Sequence, residues 1–146
     1  MARRFNLAEA QSLIPRVDSL LREAVSLKSQ YQEAEQPIQA LARRVSQMGG
    51  MVVDRDQAVD DRRRRDEVAG KLRAAIEKVQ ECGCVIKDLD TGLIDFPTLL
   101  RGVEVYLCWK LGESKIAFWH GVDEGFRGRK AIDQDFLKNH RGDRAQ

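Results

Sequence analysis

Eighteen consecutive apolar residues, the length a helix needs to span a bilayer, occur nowhere in this chain of 146 residues, so no membrane segment is expected. Charge of one sign is also missing. Lys and Arg number 25 against 23 Asp and Glu, a formal balance of +2, which supplies no field to draw the chain toward nucleic acid or acidic lipid. Only three cysteines and two histidines are present. An odd cysteine count with no secretory segment does not make a disulfide framework and fits a reducing cytoplasm, where the chain is expected to reside. The basic start Met1-Ala2-Arg3-Arg4-Phe5 runs into Asn6-Leu7-Ala8-Glu9 without an apolar stretch, so it does not read as an export signal. The length suits one domain with a modest core, spanning 1–146.

What is present begins with helix signals. Asn6 with Glu9 three residues later has the form of a capping box, which places a helix start at Leu7. Apolar residues then recur at spacings of three and four. One set is Ala10, Val17, Ala24, Tyr31, Ile38 and Val45; the other is Leu13, Leu20, Leu27, Ala34, Leu41 and Met48. Such a heptad seam packs one helix lengthwise on another. Pro15 and Pro37 predict kinks, or a break before Pro37. Gly49-Gly50 is a stop, and Asp54 with Gln57 predicts a second helix to about Cys82, folded back antiparallel. Its first half offers only Ala58 and Val59 as apolar groups, so the Ile38 to Met48 end of the first helix is left without adequate cover. The run Arg62-Arg63-Arg64-Arg65 lies among six acids and five arginines between Asp54 and Glu67. The pairs Asp60–Arg64, Asp61–Arg65 and Glu67–Lys71 at helical spacing predict a solvated ion-pair face and no phosphate-binding stripe.

After Gly83 the period changes to two. Val85 to Leu89 and Leu93 to Phe96 flank Asp90-Thr91-Gly92, which predicts a hairpin with Gly92 left-handed, Lys87 opposite Asp95 and Ile86 opposite Phe96. Pro97 is expected to end that strand or to lie at an edge. Val103 to Leu111 alternates, with Val105, Leu107 and Trp109 toward a core. A turn centred on Gly112-Glu113 sets Trp109 opposite Ile116, Leu107 opposite Phe118 and Val105 opposite His120. Tyr106 then meets Trp119, and Cys108 meets Ala117, on the other face. The tail from about residue 133 is polar and expected to fray.

Lys87-Asp88, Gly92-Leu93, Asp95-Phe96-Pro97, Leu107-Cys108-Trp109, Gly112-Glu113, Trp119-His120, Gly125-Phe126 and Gly128-Arg129, with the opening from Phe5 through Glu9 to Pro15, resemble DUF2203, an uncharacterised bacterial family. The resemblance covers nearly the whole chain and implies no activity and no catalytic residues. Cys82 and Cys84 depart from that family's usual pattern.

No metal site and no cofactor are expected. Cys82-Gly83-Cys84 lacks the two-residue spacing common in structural zinc sites, and the hairpin register puts Cys108 and His120 on opposite faces, which also rules out a thiol–imidazole pair. The candidate ligand site is Trp119, His120, Asp123, Glu124 and Arg129, where a strand leaves the sheet. Residues 125–130 are basic enough to hold an anion, but without phosphate-loop spacing.

The expected fold is α+β, a long antiparallel, coiled-coil-like helical hairpin over 6–82 followed by a small antiparallel sheet of about four strands. The leading functional expectation is a non-enzymatic cytoplasmic interaction or scaffold protein that forms a homodimer through its helices. A small-ligand or enzymatic site around His120, with Trp119 as a wall, comes second, and weak nucleic-acid binding third.

Overall fold

A computed structural model describes residues 3–49 and 52–143. Two long helices, α1 (Leu7–Met48) and α2 (Arg55–Glu81), pack together as a hairpin. They lead into strands β1 (Val85–Asp88), β2 (Leu93–Leu100), β3 (Val103–Lys110), β4 (Phe118–Gly121) and β5 (Lys130–Ala131). A short helix α3 (Gln134–Asn139) and a last strand β6 (His140–Arg141) follow. The strands form one antiparallel sheet in the order β1-β2-β3-β4-β5, with β6 on β2. The fold is α+β as expected, with six strands among the described residues where about four were expected. Among the described residues no helix is long and apolar enough to cross a membrane.

The start of α1 is the capping box: the Asn6 side chain accepts the Glu9 amide at 2.7 Å, and the Asn6 amide donates to Glu9 at 3.0 Å. Gly49 closes the helix in the left-handed conformation; Gly50 lies outside the described residues. Helix α1 runs through Pro15 and Pro37 without the break expected before Pro37. Burial of Ile14 and Val17 around Pro15, and of Ala34 one turn before Pro37, helps offset the lost hydrogen bond, which costs about 3 kcal/mol. The seam also differs in its first half. Ile14 and Leu21 are the deep residues there, while Leu13 and Leu20 are only partly buried. This half of α1 packs on the sheet with Phe96, Leu107 and Trp109, and that contact rotates the buried face away from a simple two-helix seam. Farther along, Ala24 and Leu27 meet Ala75 of α2.

The arginine run is exposed or half-exposed, but its partners differ from the expected spacing. Arg63 lies near Asp60 and Arg65 near Asp66, while Asp61 accepts from Gln57.

Residues 133–143 of the tail pack onto the rest of the fold. Phe136 is buried against the core, Asp133 caps α3, and His140 Nε2 accepts the Leu7 amide at 3.0 Å, serving one of the free donors at the start of α1. One aromatic anchor overrides the polar composition.

The hairpin registers depart from expectation. In the first, Val85 pairs with Asp95 and Ile86 with Ile94; a bulge then leaves Lys87 without a partner. Gly92 is left-handed as expected. Strand β2 continues through Pro97 in the interior of the sheet. Pro97 is tolerated because its carbonyl edge faces the gap between β1 and β6, where it accepts the Phe5 amide at 2.7 Å and no ladder donor is required.

In the second, the turn closes from Lys110 to Glu113, so its centre is Leu111-Gly112 and Gly112, with φ 101°, takes the second central position. Residues 114–117 leave the ladder, and the Ile116 amide is taken by Gln11 of α1 at 2.8 Å. Strand β4 therefore pairs one residue later, with Tyr106 opposite His120, Leu107 opposite Trp119 and Cys108 opposite Phe118. A shift of one residue turns every β4 side chain to the other face.

Candidate functional site

Directly opposed residues of antiparallel strands share a face, so these pairings decide what the sheet presents on each side. Ile94, Phe96, Leu107 and Trp109 face the helices. Trp119 joins that side and packs on Phe136, with ring centroids 5.2 Å apart. Its expected place as a pocket wall beside Tyr106 is thus corrected. On the far face the pairs Asp95–Cys108, Cys108–Phe118 and Tyr106–His120 bring Asp95, Cys108 and His120 together. The expected separation of Cys108 from His120 is overturned by the same one-residue shift.

Asp95 and Cys108 are fully buried and His120 is 3% exposed. His120 Nε2 lies 2.9 and 3.0 Å from the two Asp95 carboxylate oxygens, and Nδ1 lies 2.8 Å from the Gly121 carbonyl. A carbonyl only accepts, so Nδ1 is assigned the proton and Nε2 is aimed at Asp95. The same carbonyl also accepts the Glu124 amide at 3.0 Å. One potential metal-ligating atom from each of Asp95, Cys108 and His120 lies within 4.8 Å of the others. Burial, and next the Asp95 charge, push the Cys108 thiol up to about 12, against the opposing pull of Arg129. Cys108 is therefore a protonated, weakly nucleophilic thiol at neutral pH.

The segment after β4 roofs this face. Glu124 fits between Gly121 and Gly128, where a Cβ at either glycine would come within 2.8 Å of Glu124 atoms. Its carboxylate accepts from the Gly121 amide at 2.9 Å and from Lys130 at 2.6 Å. Those contacts, led by Lys130, hold the Glu124 carboxyl below its ordinary value. Beneath the roof is a cavity of about 340 Å³ with Asp95 and His120 in its lining, together with Lys87, Asp123, Glu124 and Phe126. The bulge in β1 turns Lys87 over the Tyr106 ring, 5.0 Å from its centroid.

Arg129 stands behind this cavity. It forms a two-pronged pair with Glu113, donates to the Cys108 carbonyl at 3.3 Å, and stacks 4.2 Å from the Phe118 centroid and 4.7 Å from that of Phe126. With Arg129 committed to Glu113 and Lys130 to Glu124, two of the three cations of the expected anion-holding turn are already paired, and the third, Arg127, is exposed. Burial raises the Glu113 carboxyl, but the Arg129 hydrogen bonds and the Lys110 amide outweigh it and leave it below its ordinary value.

Of the expected site residues, His120, Asp123 and Glu124 line the cavity, Arg129 braces it and Trp119 lies on the opposite face. Asp95 was missed. Its signal in the sequence is a carboxylate within the apolar run Leu93-Ile94-Asp95-Phe96.

The family described as Uncharacterized conserved protein (DUF2203) matches residues 3–132. The chain belongs to DUF2203. No curated protein and no solved structure matches it.

Proposed function

We propose that this DUF2203 chain binds a small polar ligand in the cavity between the far face of the sheet and residues 122–126, with His120 and Asp95 meeting the ligand's polar atoms. The carrying observation is that two of the three buried polar side chains among the described residues, Asp95 and His120, pair with each other in the lining of a cavity. A buried ion-pairing couple stabilises a fold less than apolar side chains of the same volume do, so binding or proton transfer is the better account of its position. Lys87, Asp123 and Glu124 supply both charge signs and Phe126 an apolar wall, which suits a compact ligand with donors and acceptors. Val122 and Phe126 are about half exposed, so the roof is the side from which a ligand enters. The three cysteines are free, which suits the cytoplasm. Native mass spectrometry of protein freshly purified from cells is the test. A co-purifying small-molecule mass that His120→Gln abolishes is expected. Wild-type protein that carries no such mass and gains no thermal stability from any compound of a metabolite library overturns the reading.

A second reading, self-association as an interaction or scaffold protein, is favoured by the far end of the hairpin. An apolar groove of about 590 Å³ there is lined by Ile38, Leu41, Val45, Val53, Ala58 and Val59. It continues the α1–α2 seam beyond the last buried residue, Ala34. Its rim carries both charge signs, Arg55 and Arg62 with Asp61, which a two-fold copy could pair. A homodimer by light scattering at micromolar concentration, returned to monomer by Leu41→Glu, is the expected result, and a monomeric wild type excludes it.

A further inference from the structure

We propose that Asp95, Cys108 and His120 bind one zinc-type divalent cation, with a fourth coordination position open to the cavity beneath residues 122–126. This rests on the reading of that cavity as the functional site and names the group that holds a ligand there.

The three donors come from the neighbouring strands β2, β3 and β4, so the ladder itself fixes their spacing. They are a carboxylate, a sulfur and an imidazole nitrogen, all buried, with ligand atoms within 4.8 Å of one another. Tetrahedral ligands at zinc bond lengths of about 2.0–2.3 Å stand roughly 3.3–3.8 Å apart. The imidazole and carboxylate, now 2.9 Å apart, need to part by only a few tenths of an ångström to admit the ion.

The histidine is already oriented as a ligand. Its Nδ1 is held by the Gly121 carbonyl, the kind of outer contact that fixes the tautomer of metal-bound histidines and aims Nε2 at the ion. With Nδ1 donating to that carbonyl, Nε2 faces two carboxylate oxygens, a contact that a proton or a metal cation between them makes favourable. A proton satisfies His120 and Asp95, with the Cys108 thiol hydrogen-bonded to Asp95. A metal ion engages all three. The buried Cys108 sulfur binds a metal as its thiolate, so its proton must leave as the cation takes its place. As the metal–sulfur bond forms, that proton leaves to solvent, along with any proton held between His120 and Asp95. Arg129, bonded to the Cys108 carbonyl and braced by Glu113, supplies a nearby positive charge that favours the thiolate.

The donor set selects the metal class. Magnesium and calcium take all-oxygen sites, whereas one sulfur, one nitrogen and one carboxylate suit zinc. Three protein ligands with one position open is the arrangement of zinc sites that bind water or a substrate atom, and closed structural sites use four.

The test is zinc analysis of full-length protein purified without chelator, followed by cobalt(II) titration of the stripped protein. One zinc per chain and a thiolate-to-cobalt charge-transfer band are expected. The band is lost in Cys108→Ser, and zinc affinity falls in His120→Gln, which removes a direct ligand. Circular dichroism checks that both variants fold; if either does not, the wild-type band alone decides. Folded wild type that binds no cobalt, or binds it without a thiolate band, overturns the proposal. A small molecule retained by wild type in that metal-free state leaves the cavity reading standing while the metal site falls. Zinc bound through Cys108 with no ligand ever retained supports the metal site and counts against the ligand reading alone.

Discussion

On its helix side the sheet buries Ile94, Phe96, Leu107 and Trp109 beneath α1 and α2, whereas on its far side it buries Asp95, Cys108 and His120 beneath a single loop. The first face gains stability in proportion to apolar area removed from water. The second takes ionisable groups out of water, and their mutual contacts offset much of that cost without turning it into a large gain. The two faces are made by the same three strands, alternating residue by residue. A stabilising surface and a chemically active one therefore share one backbone, and the rigidity of the first positions the second.

Trp109→Ala tests the apolar face and has the largest expected effect, a loss of about 3–5 kcal/mol in denaturant unfolding, from the cavity and the lost hydrogen bond of Nε1 to the Glu113 carbonyl. On the polar face, Asp95→Ala leaves His120 buried without its partner and is expected to cost about 3 kcal/mol. The double variant Asp95→Ala with His120→Leu is expected to recover most of that loss while abolishing ligand retention. A double variant as unstable as the single one would show that the pair is structural and would erase the contrast between the faces.

Arg129→Ala is expected to cost about 2 kcal/mol, because Glu113 and the Cys108 carbonyl lose a brace that is only partly shielded from solvent. Its pH signature has a definite sign. Glu113 in the folded chain titrates below its ordinary value of 4.5, so the unfolded chain takes up the proton first as pH falls. The stabilisation is present above that value and is lost as pH falls through the folded-state value. Acid unfolding curves of Arg129→Ala and wild type are thus expected to converge at low pH. The smallest effect belongs to Lys87→Ala. Lys87 is exposed on its bulge, so stability is expected to change by less than about 0.5 kcal/mol while ligand retention weakens.

Much of the fold is legible in residues close together in the chain. Asn6 and Glu9 announce the start of α1, Gly49 its end, and the alternation from Val103 to Leu111 gives the faces of β3 correctly. The site is legible only in part. His120, Asp123 and Glu124 stand out as a polar cluster, but Cys108 is assigned to the wrong side of His120 and Asp95 is passed over. The reading of Asp95 as the partner of Lys87 fails at the bulge in β1, whereas the error over Cys108 comes from the second turn. Gly112 fits either central position of a turn, and only contacts distant in sequence choose between them: Gln11 takes the Ile116 amide, and Trp119 packs on Phe136. Pro97 is similar, since its tolerance inside the sheet depends on Phe5 donating to its carbonyl.

The sequence by itself determined the helices, their caps, the alternation of the strands and the weak cover of the hairpin's far end, because these depend on residues within a few positions of one another. Only the tertiary structure decided which side chains meet. With a side-chain period of two, a shift of one residue between β3 and β4 exchanges the faces of the sheet, and the energy that selects the register comes from α1 and α3, packed against the strands from far along the chain.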